Sequence, residues 1–147
     1  MKFKKFCDRV TPYGQIVDMD NGDRWLIGSG VGMKIPAGVI NLLGASVAAE
    51  GVKELVHELT HADVENRVHL TDAVLLCADG KASDIVRYFG DAGIFNADYG
   101  LLEKRDEHIA VTKTVDDDLK EHTYLLICDR AETVIGFIKC YEERKEA

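Results

Sequence analysis

The chain has 147 residues, of which 46% are hydrophobic and 30% are charged, and its formal net charge is -8. A chain of this length and composition can fold as one domain over residues 1–147 without help from metals or disulfides. The negative charge argues against non-specific binding to nucleic acid or to anionic lipid, because both require a basic surface. It leaves open a basic protein partner, or a small anion held in a local pocket.

The apolar stretches and the cysteines bear on the cellular compartment. No run approaches about 18 uninterrupted apolar residues, so the sequence predicts no membrane span. No apolar stretch follows the basic residues 1–5, so we expect no secretory leader. The four cysteines are widely spaced and include no Cys-x-x-Cys pair, which indicates reduced thiols and a cytoplasmic protein. They are Cys7, Cys77, Cys128 and Cys140.

Residues 1–27 predict an antiparallel unit of three strands. Residues 2–9 are predicted as the first strand, and residues 15–19 alternate in the pattern of a second strand. Residues 20–23 contain Asn-Gly, which tolerates positive φ at both central positions of a hairpin turn. Residues 24–27 are then the partner strand.

A glycine-rich segment, residues 28–34, is predicted as a loop between a strand and a helix. Free backbone N–H groups and a helix N-terminus can bind phosphate at such a place, with Lys34 supplying charge. Gly28, Gly30 and Lys34 are therefore candidate ligand-binding residues. The spacing departs from the dinucleotide-binding motif, because Met33 stands where the third glycine would be. The alternative is a flexible turn without a ligand.

Three further residues are candidates for ligand binding. Arg24 and Trp25 precede the glycine-rich segment and are placed to stack on and clamp a base or a phosphate, although a tryptophan such as Trp25 is more often a core residue. Arg87 begins an aromatic cluster that continues through Phe95 and Tyr99 in a loop rich in Gly and Asp, a composition suited to recognition. The alternative is that these aromatic side chains cover the edge of the core.

The middle of the chain predicts helices around one buried strand. Pro36 opens a helix over residues 37–50, which Gly51 breaks. Residues 52–68 carry an apolar stripe and form the second helix. Residues 73–78 form a buried strand. The remaining expectations are a short helix capped by Ser83 and ending at residue 89, and an exposed loop over residues 90–100.

The end of the chain predicts three strands. Residues 107–114 alternate, residues 124–128 are apolar on both faces as in a central strand, and residues 133–141 return antiparallel after a turn at 129–132. Residues 142–147 are predicted as a solvated tail. The order βββ-αα-β-α-βββ indicates an α+β fold, in which helices pack on a mixed or mainly antiparallel sheet.

The segment His-Glu-Leu-Thr-His, which begins at His57, has a spacing that matches known chemistry. On a helix, His57 and His61 share one face, so both imidazoles can bind one Zn²⁺ while Glu58 reaches its bound water. Together with the following alanine, the segment resembles the active-site helix of thermolysin-like zinc metallopeptidases. The resemblance implies that His57 and His61 are metal ligands and that Glu58 is the general base. The family's third ligand is a glutamate on a following helix, and Lys81 stands at that place here.

Two functions follow from these features. The first is a non-enzymatic, acidic cytoplasmic binding protein without a cofactor, which we expect to be a homo-oligomer. It captures a small nucleotide-like anion with Lys34 and Arg24 or Arg87, or it inhibits a basic protein partner, as small acidic phage inhibitors do. The second is a small zinc metallopeptidase with zinc as its cofactor. We favour the first because the third zinc ligand is missing from its expected place.

The helix that carries His57 and His61 has two other interpretations. One is a solvent-facing helix side, on which glutamates pair locally with histidine or lysine. The other is a structural or adventitious metal site that also uses Glu65 or His69.

Overall fold

The structure, a computed structural model, describes residues 1–10, 14–36, 46–68, 73–77, 85–90, 92–103, 106 and 108–142. Within these ranges, three helices and eleven strands form an α+β fold, as the sequence predicted. None of the described helices is long and apolar enough to cross a membrane. The helices are α1 (Phe3–Val10), α2 (Glu50–Thr60) and α3 (Asn96–Tyr99). The strands are β1 (Gln15–Asp18), β2 (Arg24–Ile27), β3 (Val31–Lys34), β4 (Ser46–Val47), β5 (Arg67–Val68), β6 (Ala73–Cys77), β7 (Ile85–Phe89), β8 (Ala92–Phe95), β9 (His108–Val115), β10 (Glu121–Cys128) and β11 (Val134–Lys139).

The described strands form two sheets. The larger has eight strands in the order β4-β1-β2-β3-β11-β10-β9-β5, and it is antiparallel except where β4 pairs with β1. The smaller has three antiparallel strands in the order β6-β7-β8. The predicted mainly antiparallel sheet is therefore confirmed. The described element order is α-ββββ-α-ββββ-α-βββ, which differs from the predicted βββ-αα-β-α-βββ.

The large sheet is apolar on both faces, and β10 shows this most clearly. Successive side chains of a strand point to opposite faces. Tyr124 and Leu126 belong to the buried cluster on one face, whereas Leu125 and Ile127 belong to the cluster on the other. Because β10 lies between β9 and β11, the prediction of a central strand over residues 124–128 is confirmed.

Helix α2 covers one face of the large sheet. Val56 and Leu59 are fully buried in the same cluster as Trp25 and Phe137. Burying each aliphatic side chain contributes roughly 1.5–3 kcal/mol. That gain outweighs the cost of about 1 kcal/mol for Gly51 in the first helical turn.

Helix α1 and the small sheet cover the opposite face. Phe6 of α1, Phe89 of β7 and Ile94 of β8 are buried in one cluster with Leu26 and Leu125 of the large sheet. The two sheets therefore share one hydrophobic core.

The first predicted strand is wrong, because residues 3–10 form α1. Phe3, Phe6 and Val10 recur at intervals of three and four, which places them on one helical face. Phe6 and Val10 are buried, and Phe3 packs partly buried against the same cluster. The following hairpin is confirmed, since β1 pairs antiparallel with β2 across the turn at residues 20–23.

The predicted glycine-rich loop is also wrong over most of its length. Val31–Lys34 is strand β3, which pairs with both β2 and β11. Gly32 explains the difference, because a Cβ atom there would collide with the ring of Phe137. The glycine is needed for close packing inside the sheet, and only residues 28–30 form the turn.

The two predicted central helices have different bounds. Residues 37–45 of the first lie outside the described residues, and Ser46–Val47 is strand β4. Gly51 does not break a helix, because it lies inside α2. The second helix ends at Thr60, and Arg67–Val68 is strand β5.

The short helix predicted up to residue 89 is wrong, because Ile85–Phe89 is strand β7. Its β-branched and aromatic side chains favour a strand. Ser83, its predicted cap, lies outside the described residues. The loop predicted over residues 90–100 is wrong as well, because it contains β8 and α3.

The strands predicted for the end of the chain are confirmed. The strands β6, β9, β10 and β11 correspond to four predicted strands, and the turn at residues 129–132 is confirmed by the pairing of β10 with β11. Most of the predicted tail, residues 143–147, lies outside the described residues.

Candidate functional site

A cleft of about 1040 Å³ opens at one end of the large sheet. Five neighbouring strands bring their ends together there because each pairs antiparallel with the next. The strand ends are the starts of β2, β11 and β9 and the ends of β3 and β10. Ligand pockets in proteins commonly measure roughly 300–1,000 Å³. The cleft is therefore large enough for a nucleotide-sized molecule.

One wall of the cleft is apolar. Met33 and Ile35 are buried side chains of the core, and Phe3 and Ile135 pack partly buried against the same core. A flat apolar or aromatic group can lie against such a wall and release water.

Two cationic side chains line the cleft from β2 and β3. Arg24 Nε donates to Asp18 Oδ1 over 2.6 Å, and this hydrogen bond raises the pKa of the Arg24 guanidinium, which stays charged. Lys34 Nζ lies 3.3 Å from Asp23 Oδ1. A guanidinium has five N–H donors and an ammonium has three, so each group can bind an anion while keeping its carboxylate partner.

A third cation, Arg130, lies at the tip of the turn between β10 and β11. Its side chain is exposed, and it forms no hydrogen bond or ion pair with any residue in the described part of the chain. The turn is held by Asp129, whose Oδ1 accepts the backbone N–H groups of Ala131 at 2.9 Å and Thr133 at 3.0 Å. Among the described residues, Arg130 is thus a cation without a partner, and it lies on a fixed turn.

Four carboxylates also line the cleft, and each has a partner within the protein. Asp23 pairs with Lys34, and Asp129 caps its own turn. Asp106 is buried, and its two oxygens lie 3.0 Å and 2.8 Å from the amino group of Met1. The same amino group lies 3.9 Å from Glu103. Their negative charge is therefore partly compensated inside the protein.

His108 and Cys128 complete the polar lining. They face each other across the pairing of β9 with β10. Burial raises the pKa of the Cys128 thiol, so this cysteine stays protonated and weakly reactive near neutral pH. His108 Nδ1 lies 2.5 Å from an Arg67 guanidinium nitrogen.

The structure brings together only two of the candidate ligand-binding residues, Arg24 and Lys34. Trp25 is 1% exposed, and its ring stacks on Phe137 at a centroid distance of 5.9 Å, so its predicted contact with a ligand is wrong. Residues 24 and 25 point to opposite faces of β2, and only residue 24 reaches the cleft.

Gly28 and Gly30 form the turn between β2 and β3, and neither lines the cleft. The backbone N–H of Gly28 already donates to Val31 O over 2.8 Å. A Cβ atom at Gly28 would lie 2.5 Å from Val10 Cγ1 of α1. Gly30 has a φ of +72°, a left-handed conformation that favours glycine. Packing and turn geometry therefore account for both glycines, and phosphate binding at this turn stays a prediction.

Arg87 lies on β7 and does not line the cleft. Its Cζ atom lies 3.9 Å from the centroid of the Tyr99 ring, and its Nε donates to Asn96 Oδ1 over 2.9 Å. Arg87 therefore joins the small sheet to α3.

Two residues of the predicted zinc site, His57 and Glu58, lie on the exposed side of α2, and His61 caps its C-terminal end. His57, Glu58 and His61 are all exposed, and the two imidazole centroids are 4.2 Å apart. His61 Nδ1 lies 2.8 Å from the carbonyl oxygen of His57. No group of three or more metal-ligating side chains occurs among the residues that the structure describes. Glu65 is exposed near the end of α2, whereas His69 and Lys81 lie outside the described residues.

Sequence reasoning missed His108 and Arg130. Arg130 had a usable signal, because it lies in a turn that the sequence predicted. His108 had none, because its place in the cleft depends on how β9 pairs with β10.

We compared the chain with protein-family models, curated proteins and solved structures, and none of them matches it.

Proposed function

We propose that this protein is a non-enzymatic binding protein that captures a small nucleotide-like anion in the cleft at the end of the large sheet. The observation that carries the proposal is that Arg24, Lys34 and Arg130 line one cleft together with an apolar wall. Phosphate groups would bind at the cationic side, and the base would lie on the wall formed by Met33 and Ile35.

Arg130 is the strongest contributor in this arrangement. Arg24 and Lys34 share their charge with Asp18 and Asp23, whereas Arg130 has no partner in the described part of the chain. A guanidinium binds phosphate through two parallel N–H···O bonds, which are stronger than neutral hydrogen bonds. An anion that binds Arg130 therefore gains a charge-assisted contact without breaking one between Arg130 and any residue that the structure describes.

The net charge of -8 affects which anions this cleft can bind. An overall negative surface repels polyanions, but a cleft with several cations can still hold one small anion. We accordingly propose a cytoplasmic protein that acts by sequestering its ligand. A homo-oligomer and an inhibitory role remain part of this proposal.

Titration calorimetry with adenosine, AMP, ATP and inorganic phosphate, at an ionic strength of about 0.05 M, tests the proposal. We expect ATP to bind more tightly than either phosphate or adenosine alone, because ATP uses both sides of the cleft and each of the other two uses only one. Arg130→Gln should weaken ATP binding about tenfold, the loss that corresponds to one charge-assisted hydrogen bond.

Lys113→Gln is the matched control. It removes the same charge from an exposed lysine of β9, whose Nζ lies 3.2 Å from Glu121 on β10 and which does not line the cleft. We expect its affinity for ATP to stay within about twofold of the native value. The proposal fails if none of the four compounds binds at millimolar concentration, or if both variants weaken binding equally.

A further inference from the structure

His108 lies at the start of β9 and lines the cleft, and its Nδ1 atom is contacted by a residue that does not line the cleft. Arg67 of the neighbouring edge strand β5 places one guanidinium nitrogen 2.5 Å from His108 Nδ1. The other terminal nitrogen of Arg67 contacts the Glu132 carboxylate. Glu132, Arg67 and His108 therefore form one hydrogen-bonded chain that ends at the cleft.

This chain selects one tautomer of His108. A guanidinium is always protonated and has no acceptor atom, so Arg67 can only donate. His108 Nδ1 must then accept and cannot carry the proton. In the neutral ring the proton is on Nε2, which is left as a hydrogen-bond donor.

The turn between β10 and β11 carries both Glu132 and Arg130. Glu132 has a φ of +63°, a conformation that non-glycine residues rarely adopt. It lies at the C-terminal end of the turn that presents Arg130 to the cleft. One turn thus supplies an uncommitted cation through residue 130 and holds the chain behind His108 through residue 132.

We propose that His108 is a specificity-determining residue of the cleft, which donates from Nε2 to an unprotonated oxygen of the bound anion, and that Arg67 and Glu132 are the positioning residues that hold it in the donating tautomer. The inference rests on the proposed anion-binding function and deepens it. It names the ligand class as an oxyanion, a phosphate or a carboxylate, that offers an acceptor oxygen close to the Arg130 guanidinium.

The tautomer can be measured without any ligand. Long-range ¹H–¹⁵N correlation of the neutral His108 ring should show a protonated Nε2 and an unprotonated Nδ1. In Arg67→Met, which has no donor, the ring should average between two tautomers. A wild-type ring with its proton on Nδ1, or the same average as in Arg67→Met, overturns the inference.

The contact with the ligand is tested by titrating variants with ATP. His108→Ala should bind ATP about fivefold more weakly, as expected for one lost hydrogen bond. His108→Gln should recover part of that loss, because its amide can donate from a similar position. Arg67→Met should weaken binding by a smaller factor, and Arg67→Met with His108→Ala should be no weaker than His108→Ala alone.

Non-additivity is the decisive readout, because residues that act through one chain of hydrogen bonds do not have independent effects on binding. If the two losses multiply, Arg67 contacts ATP itself and its positioning role is wrong. If ATP binds but His108→Ala binds it like the wild type, this inference fails while the proposed function stands. If the wild type binds none of the probes, the proposed function fails, and the donor role of His108 fails with it.

Discussion

Two regions of this protein place histidine near carboxylates, and they differ in where their residues come from. On the exposed side of α2, His57 and Glu58 lie in the last turn of the helix, and His61 is the residue that caps its C-terminal end. At the cleft, His108 and Arg130 join residues from the ends of five strands. Spacing along one helix shows which side chains share a face, but it does not show which other groups approach that face.

The histidines illustrate this difference. His61 Nδ1 contacts the carbonyl oxygen of His57 in the last turn of α2. His108 lies beside the guanidinium of Arg67, and His122 lies between the carboxylates of Asp116 and Glu142. Each ring therefore has different hydrogen-bond partners, which its sequence neighbours do not reveal.

The largest expected effect contrasts the buried and exposed sides of α2. Leu59→Ala should lower the free energy of unfolding by about 2–5 kcal/mol, because Leu59 is fully buried between α2 and the large sheet. His61→Ala should change it by no more than about 0.5 kcal/mol, as is usual at exposed positions. Urea denaturation of both variants measures the contrast. Equal losses would show that the histidine side of α2 is not a solvated surface.

A smaller effect is expected at His122. Hydrogen bonds to Asp116 and then to Glu142 raise the pKa of His122 above 6.5, and the bond to His122 lowers the pKa of Asp116 below 3.8. The raised His122 pKa contributes stability that is complete below pH 6.5 and is lost as the pH rises through the folded-state value. The lowered Asp116 pKa contributes stability that is present above pH 3.8 and is lost as the pH falls through its folded-state value.

The stabilisation at His122 should therefore be greatest between pH 3.8 and 6.5. In urea denaturation, His122→Gln should be less stable than the wild type at a pH of about 5.5, and the difference should shrink by a pH of about 9. Asp116→Asn should also be less stable than the wild type at a pH of about 5.5, and this difference should also shrink by a pH of about 9. A difference that persists unchanged at high pH would contradict the ion pair and point to packing.

The smallest effect is expected for zinc. We expect protein purified without added metal to contain much less than one zinc per chain, and His57→Ala to leave that content unchanged. The reason is that the described residues offer no third ligand near His57 and His61. Elemental analysis by mass spectrometry measures this, with His122→Ala as the control. Near-stoichiometric zinc that disappears in His57→Ala would instead favour the metallopeptidase.

The sequence by itself determined the features that depend on a few neighbouring residues. The Asn-Gly pair set the turn between β1 and β2, where Gly22 has a φ of +93°. Uninterrupted apolar residues marked β10 as a central strand. Arg24 and Lys34, which the sequence marked as candidate ligand-binding residues, both line the cleft, although Lys34 lies on strand β3 and not in the predicted loop.

Only the tertiary structure decided which of these residues meet. The side chains of a strand alternate between its two faces, and residue 25 lies on the face that α2 covers. Trp25 is therefore buried in the core. His108 reached the cleft because its strand pairs in register with Cys128 of β10, and it met Arg67 because β5 pairs with β9. Short-range sequence patterns encode the periodicity of helices and strands and the geometry of turns. The register between strands is set by the burial of both sheet faces at once, and no local stretch of sequence carries that information.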